Sequence, residues 1–245
     1  MHPHAAIVSV LASAAAFWLP PASAGSFSIS PLRLDLAPQA TTAALTVRNQ
    51  EATPVIVQAQ ALAWSQVAGA EQLDATKDLL VSPAVFTLPP NGAQLVRVAL
   101  RRSVEPTREL AYRMVLQEVP PEASPDFTGL TVTLKLSLPI FVAATTPAPA
   151  ELRWSLDRDA GGHVVLHVVN DGGTHVRVLG LTLTPQTDSG AVLKQSVAAY
   201  VLPGADRSWT FETNKNDGSS ATADRYRLKA NTERGEVDAE LILTR

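Results

Sequence analysis

Period-two alternation of apolar and polar residues runs through the chain from residue 25 onward. Leu32, Leu34 and Leu36 alternate with Arg33 and Asp35, Leu45 and Val47 lead into Asn49, and Val55 to Trp64 makes a longer stretch. Further runs cover Leu79 to Thr87, Ala93 to Arg101, Glu109 to Val119 and Leu130 to Val142. Successive side chains on a strand point to opposite faces, so each run predicts a strand with one buried face. Turn chemistry separates the runs, as at Pro89, Pro90, Asn91 and Gly92 and again at Pro120 and Pro121. Seven short strands in about 120 residues, with helical periodicity nearly absent, predict an immunoglobulin-like sandwich.

The alternation lapses at Ala143 to Ala150, where Pro147 and Pro149 interrupt any strand and the Ala and Thr side chains offer little to pack. It resumes at Leu152 to Leu156, His163 to Val169, Val176 to Thr184, Ala191 to Leu202, Ser208 to Glu212, Tyr226 to Ala230 and Glu236 to Leu243. The pattern predicts an all-β protein of two tandem immunoglobulin-like β-sandwich domains, residues 25–144 and 151–245, joined by a short linker at 145–150. No short-period repeat is visible, which argues against a propeller or solenoid.

The opening residues follow a different logic. Ala5 to Leu19 is apolar but too short to span a bilayer, and it ends in Pro20, Pro21 and the small residues Ala22, Ser23 and Ala24. Residues 1–24 therefore read as a secretory signal peptide cleaved after Ala24, so the mature chain is expected to be exported. The absence of cysteine excludes a disulfide framework, thiol catalysis and Cys-based zinc sites. A net charge of −3 leaves no electrostatic footprint for nucleic acid.

Catalytic patterns are missing as well. The chain has no nucleophile elbow, phosphate loop, zinc-protease helix or EF-hand loop, so no enzyme activity, cofactor or metal is expected. His163 and His167 share a strand face, but four residues separate them by about 13 Å, too far for one metal ion. Glu233 and Glu236 flank Gly235 in a hairpin and read as solvated carboxylates. Trp64, Trp154 and Trp209 fall within strand patterns and read as core. That weakens the alternative of a secreted adhesin or carbohydrate-binding module, which needs a surface aromatic platform.

One run is unusually long. Leu130, Val132, Leu134, Leu136 and Leu138 occupy one face, and Thr131, Thr133, Lys135 and Ser137 the other. Two readings fit it: a half-buried core strand, or a strand whose apolar row fills a partner's incomplete core. Resemblance decides between them. The segments SPLRLDL (Ser30 to Leu36), LTVRNQ (Leu45 to Gln50), SPAVFTLPPNGAQLVRV (Ser82 to Val98), ELAYRMVLQEVP (Glu109 to Pro120) and LKLSLPIFV (Leu134 to Val142) stand in the order found in the PapD-like chaperones of pilus assembly. The mature chain resembles that family throughout, more weakly in its second half, where Asn231 to Gly235 carries the likeness.

The resemblance implies a non-enzymatic chaperone that binds pilus subunits by donor-strand complementation and delivers them to an outer-membrane usher. Leu130, Val132, Leu134 and Leu136 are then the donor row. Arg33, sixteen residues before Asn49, fits the family's first anchor for the subunit's C-terminal carboxylate. The family's second anchor, a Lys just before a terminal Leu-Phe, is replaced here by Pro139, so Arg113 and Lys135 are the candidates, with Arg113 favoured. Arg97, Glu109 and Glu233 match an interdomain ion network. The LPIFV ending and the missing Lys hint at the archaic branch with spore-coat-like subunits. A bare apolar edge also implies a self-capping oligomer when the chaperone is free.

Overall fold

The computed structural model describes residues 27–120, 132–187, 191–212 and 223–244. The signal-peptide segment and Leu130 lie outside the described residues. Seventeen strands and no helix make up the rest, so the chain is all-β and forms two sandwiches in tandem.

The first sandwich begins with β1 (Phe27–Ser30), β2 (Leu34–Leu36), β3 (Thr42–Asn49), β4 (Val55–Val67) and β5 (Ala70–Ala75). It continues through β6 (Leu79–Ser82), β7 (Val85–Leu88), β8 (Ala93–Leu100), β9 (Leu110–Val119) and β10 (Lys135–Val142). One sheet has the order β1-β3-β8-β6, and the sheet facing it β2-β10-β9-β4-β5, with β7 paired to the start of β4. All pairs are antiparallel except β2 with β10.

The seven expected strands become ten for identifiable reasons. Leu79 to Thr87 is broken at Pro83, which has no N–H to give a ladder, so β6 joins β8 in one sheet while β7 joins β4 in the other. A second Ser-Pro, at Ser30 and Pro31, likewise sends β1 to one sheet and β2 to the other, leaving Leu32 exposed between them. β5 escapes period-two reading because all six of its residues are exposed. It is hung on β4 by a two-residue turn in which Ala68 and Gly69 both have positive φ, as a type I′ hairpin requires. The long apolar run enters the sheet at Lys135, later than the sequence predicts.

The second sandwich contains β11 (Leu152–Arg158), β12 (Val164–Asn170), β13 (Val176–Pro185), β14 (Leu193–Val201), β15 (Asp206–Phe211), β16 (Arg225–Thr232) and β17 (Gly235–Thr244). Every strand read from the second half is present. The order is β14-β13-β16-β17-β11-β12-β15. β17 pairs with β16 along its length and at Leu243 and Thr244 passes across to run parallel with β11, closing one side of the sandwich.

Each sandwich has its own core. Leu45, Val57, Leu88, Met114, Leu116 and Ile140 are fully buried in the first, and Leu156, Leu166, Leu183 and Leu228 in the second. A buried asparagine closes one loop in each. The Asn49 side chain donates to the carbonyls of Thr53 and Leu88, and Asn170 donates to those of Thr174 and Val201.

The connection is not a free tether. Thr145 N–H donates to Glu105 O, Thr146 N–H to Pro106 O, and Pro149 O accepts from Gly173 N–H. Gly173 has no room for a Cβ, which would strike the carbonyl of Thr107. The strand-poor composition that predicts a linker thus marks a segment strapped to both halves by backbone hydrogen bonds.

Candidate functional site: a charged cleft between the sandwiches

Strand register assembles the cleft floor. On β9, Tyr112, Met114 and Leu116 point into the first core, so Ala111 and Arg113 face outward. Arg113 lies opposite Pro139 on β10 and Leu62 on β4. On the other side of β10, Leu34 lies opposite Ile140, so Arg33 stands one residue earlier, beside Pro139. Leu34 and Leu36 are buried, which turns Arg33 and Asp35 to the outer face. Arg33 and Arg113 therefore belong to one row across the sheet, two strand spacings or about 10 Å apart. Pro139 sits between them, at the point where the chain departs from the family's lysine.

The two guanidinium groups have different surroundings. Arg113 is only 14% exposed; it stacks over Trp64 at 3.7 Å from the ring centroid and lies 3.6 Å from Glu71. Burial pushes its pKa down, and the charge of Glu71 opposes that, but an arginine remains protonated regardless. Arg33 is 44% exposed, donates to Asp35 at 2.9 Å and approaches Glu233 of the second sandwich at 3.5 Å. Burial lowers its pKa, and the hydrogen bond to Asp35 with the charges of Asp35 and Glu233 outweighs it, giving a net rise.

Lys135 shares their face but not their row. It pairs with Gln117, four residues along β10 from Pro139, or about 13 Å away. It stands where β10 begins and is exposed.

Beneath the row the two sandwiches meet on aromatic rings. Trp64, Phe141 and Tyr200 form a small buried cluster with Leu202 and Ala205, and the His175 imidazole stacks on Phe141 at 3.6 Å, 9° from coplanar. His175 Nδ1 lies 2.6 Å from Glu109, and its Nε2 is 3.3 Å from Glu233, out of line for a hydrogen bond. The Glu233 carboxylate also accepts from the Arg177 N–H. Gln66, buried on β4, reaches across: its side-chain N–H donates to Tyr200 O at 2.8 Å, and its Oε1 accepts from Leu202 N–H at 2.9 Å.

The expected interdomain network is therefore corrected in its third member. Glu109 and Glu233 do converge, but on His175. Arg97 is exposed on β8, opposite Ala44 and Ser82 in the other sheet, and makes no ion pair with either glutamate. Alternation on β8 sends Val96 and Val98 into the core and so turns Arg97 to the outer face of that sheet. Glu233 is likewise more than a solvated hairpin carboxylate, whereas Glu236 does pair across its hairpin with Lys229. His167, considered above with His163, pairs with Asp157.

The donor row runs out from under its own core. Leu138 is 4% exposed, Leu136 and Leu134 are half-buried against the first core, and Val132 is 61% exposed. β2 covers β10 only at Ile140 to Val142, so among the described residues Lys135 to Leu138 have a neighbour on one side alone. That leaves an unpaired backbone edge, continuous with an apolar row that is increasingly bare.

Fold and cleft together define a two-domain immunoglobulin-like protein whose arginine-lined cleft adjoins an open strand edge. Residues 26–147 match the family described as pili and flagellar-assembly chaperone, PapD N-terminal domain, and the chain belongs to this non-enzymatic family of pilus-assembly chaperones. Solved structures share the fold over nearly the whole chain. The CsuC chaperone, in its pre-assembly complex with the CsuE tip subunit of archaic Csu pili from Acinetobacter baumannii, superposes with a TM-score of 0.67 at 16% identity, covering 90% of this chain and 100% of that one. The SafB chaperone with the SafA pilin of Salmonella enterica gives 0.59 at 21% identity, with 90% and 98% covered. The E. coli chaperone DraB gives 0.58 at 19%, with 89% and 98% covered. No curated protein matches the chain in sequence.

Proposed function

We propose that this pilus-assembly chaperone is exported to the periplasm by residues 1–24, completes pilus subunits by donor-strand complementation and delivers them to an outer-membrane usher. The observation that carries the reading is the apolar row of β10 and the residues leading into it, which passes from 4% exposure at Leu138 to 61% at Val132, beside a strand edge that β2 leaves open. A subunit lacking a strand pairs its backbone with that edge and takes the bare side chains into its groove. Full burial of an aliphatic side chain contributes about 1.5 to 3 kcal/mol, and Leu134 and Leu136, already half-buried, supply only part of that. Val132, 61% exposed, is the larger contributor among the described residues.

Arg33 and Arg113 hold the subunit's C-terminal carboxylate and so fix the register of the added strand, since charge-assisted hydrogen bonds in a partly dry cleft exceed those at a surface. Lys135, a row too far along, does not serve as the second anchor. Glu109, Glu233 and His175 hold the sandwiches, bounded at 25–144 and 151–245 with the linker at 145–150, at a fixed angle. Between guests the open edge is covered by a self-capping oligomer. The likeness to CsuC supports the archaic branch. The adhesin alternative is not favoured, because Trp64 and Trp209 are buried.

The test is periplasmic co-expression with the subunit encoded beside this gene, followed by pull-down. Val132→Glu, at an exposed position, abolishes co-purification while the chaperone keeps its folded circular dichroism. Retained binding would count against the donor-strand reading.

A further inference from the structure

Among the described residues, the carboxylate that faces Arg113 is supplied by the chain itself. Glu71 sits on β5, the edge hairpin whose six residues are all exposed and which is paired to β4 alone. Its Oε2 lies 3.6 Å from Arg113 and its Oε1 3.1 Å from Arg207 on β15, so one carboxylate bridges the two sandwiches. The arginines are the enclosed partners, 14% and 19% exposed, and Glu71 at 38% is the open one. The contact with Arg113 is an ion pair too long for a hydrogen bond, unlike the one with Arg207. Arg33 repeats the arrangement, with Asp35 and Glu233 in contact.

We propose that Glu71 is a placeholder carboxylate: it keeps the largely enclosed Arg113 charge company in the empty chaperone and yields that position to the C-terminal carboxylate of an incoming chain, remaining on Arg207. The inference rests on the anchoring role of Arg113 stated above. Three observations favour displacement over a permanent bridge. A guanidinium stacked on Trp64 presents its N–H edge in a fixed plane, suited to a two-pronged carboxylate. Glu71 holds that edge only loosely. Its second partner at 3.1 Å gives it a place to remain once displaced. The exchange swaps one carboxylate for another at a cation that is never left bare, which avoids the cost of an unpaired buried charge. A consequence is selectivity: an apolar chain end without a free carboxylate cannot evict Glu71.

The experiment titrates the full mature chain with N-acetyl-Val-Phe as the free acid and as the carboxamide, following the side-chain N–H resonance of Arg113 by NMR. In Glu71→Gln, which keeps the shape and removes the competing charge, the acid binds about threefold more tightly than in the unsubstituted protein at low salt. Affinity for the amide is unchanged, and Glu71→Asp, with its carboxylate drawn back by one methylene, falls between. The gap closes at about 1 M salt, where screening acts within about 3 Å. If Glu71→Gln binds the acid equally or less tightly while Arg113→Ala loses the preference for acid over amide, the anchor stands and the placeholder is overturned. If acid and amide bind alike to the unsubstituted protein and to Glu71→Gln, the anchoring reading fails and the placeholder falls with it.

Discussion

Replacing Gln66 with Leu tests what holds the two sandwiches together. The side chain is 8% exposed, and both of its hydrogen bonds cross to the backbone of the other half, at Tyr200 and Leu202. Leucine keeps most of the volume but leaves a carbonyl and an N–H without partners in a closed interface. Each unsatisfied buried group costs about 1 to 3 kcal/mol, so the substitution removes about 2 to 6 kcal/mol of coupling between the sandwiches. The bridges at Glu71 and Arg33 are partly exposed and together contribute less, about 1 kcal/mol. The neutral clasp therefore outweighs these exposed bridges. Calorimetry of the mature protein shows one cooperative unfolding transition, and Gln66→Leu splits it into two or lowers its midpoint by several degrees. Small-angle scattering of the unsubstituted protein is the same at low salt and at about 1 M salt, since screening weakens ion pairs and leaves amide hydrogen bonds in place. The reasoning is refuted if salt widens the scattering profile and Gln66→Leu leaves both unfolding and profile unchanged.

Further outcomes follow from the same geometry. Arg113→Ala reduces recovery of co-expressed subunit at least about tenfold, as expected for loss of a partly dry ion pair worth about 1.5 kcal/mol or more, whereas Lys135→Ala changes it less than about twofold; equal losses in a quantitative pull-down would remove the row argument. Arg97→Ala leaves the scattering profile unchanged and the unfolding free energy from urea titration within about 0.5 kcal/mol of the original, because the side chain is exposed and joins neither Glu109 nor Glu233. Tyr112 has its pKa raised above the ordinary value of a phenol, first by burial and then by the hydrogen bond it donates to Asp78 at 2.9 Å. A raised folded pKa means that the unfolded chain releases the proton first, so stability is intact below the unfolded value and falls as the pH climbs past it. Tyr112→Phe loses the hydrogen bond, about 1 kcal/mol, but flattens the decline in urea midpoint between pH 9 and 11 expected for this group; an unchanged slope would contradict the assignment.

The fold was legible where one face of a strand is buried and the other wet. β16 in the second half announces itself most plainly in that way, as does the Leu134 to Leu138 alternation that leads into β10. β5 was hidden because neither of its faces is buried, and the split of β6 from β7 because the exposed Leu80 and Val85 mask the point at Pro83 where the core-facing positions pass from Leu79 and Val81 to Phe86 and Leu88. In the cleft, Arg33 and Arg113 could be read from local sequence against a known pattern, with Pro139 marking the departure. Gln66, Glu71 and His175 could not. Their partners lie 134, 136 and 66 residues away, and no spacing along a chain records which residues meet when two sandwiches close on each other. Arg97 was misread for the related reason that its position on β8 matched while its face of the sheet did not.

β10 is gripped by two neighbours at Ile140 to Val142 and by one before that. A ribbon fastened this way behaves like a zip sewn shut at its base: whatever docks along the loose teeth can be stripped away without disturbing the stitching. Under the proposed donor-strand mechanism, the protein that remains is already in its native shape, ready for the next client with no refolding in between, so one molecule would serve many rounds of assembly.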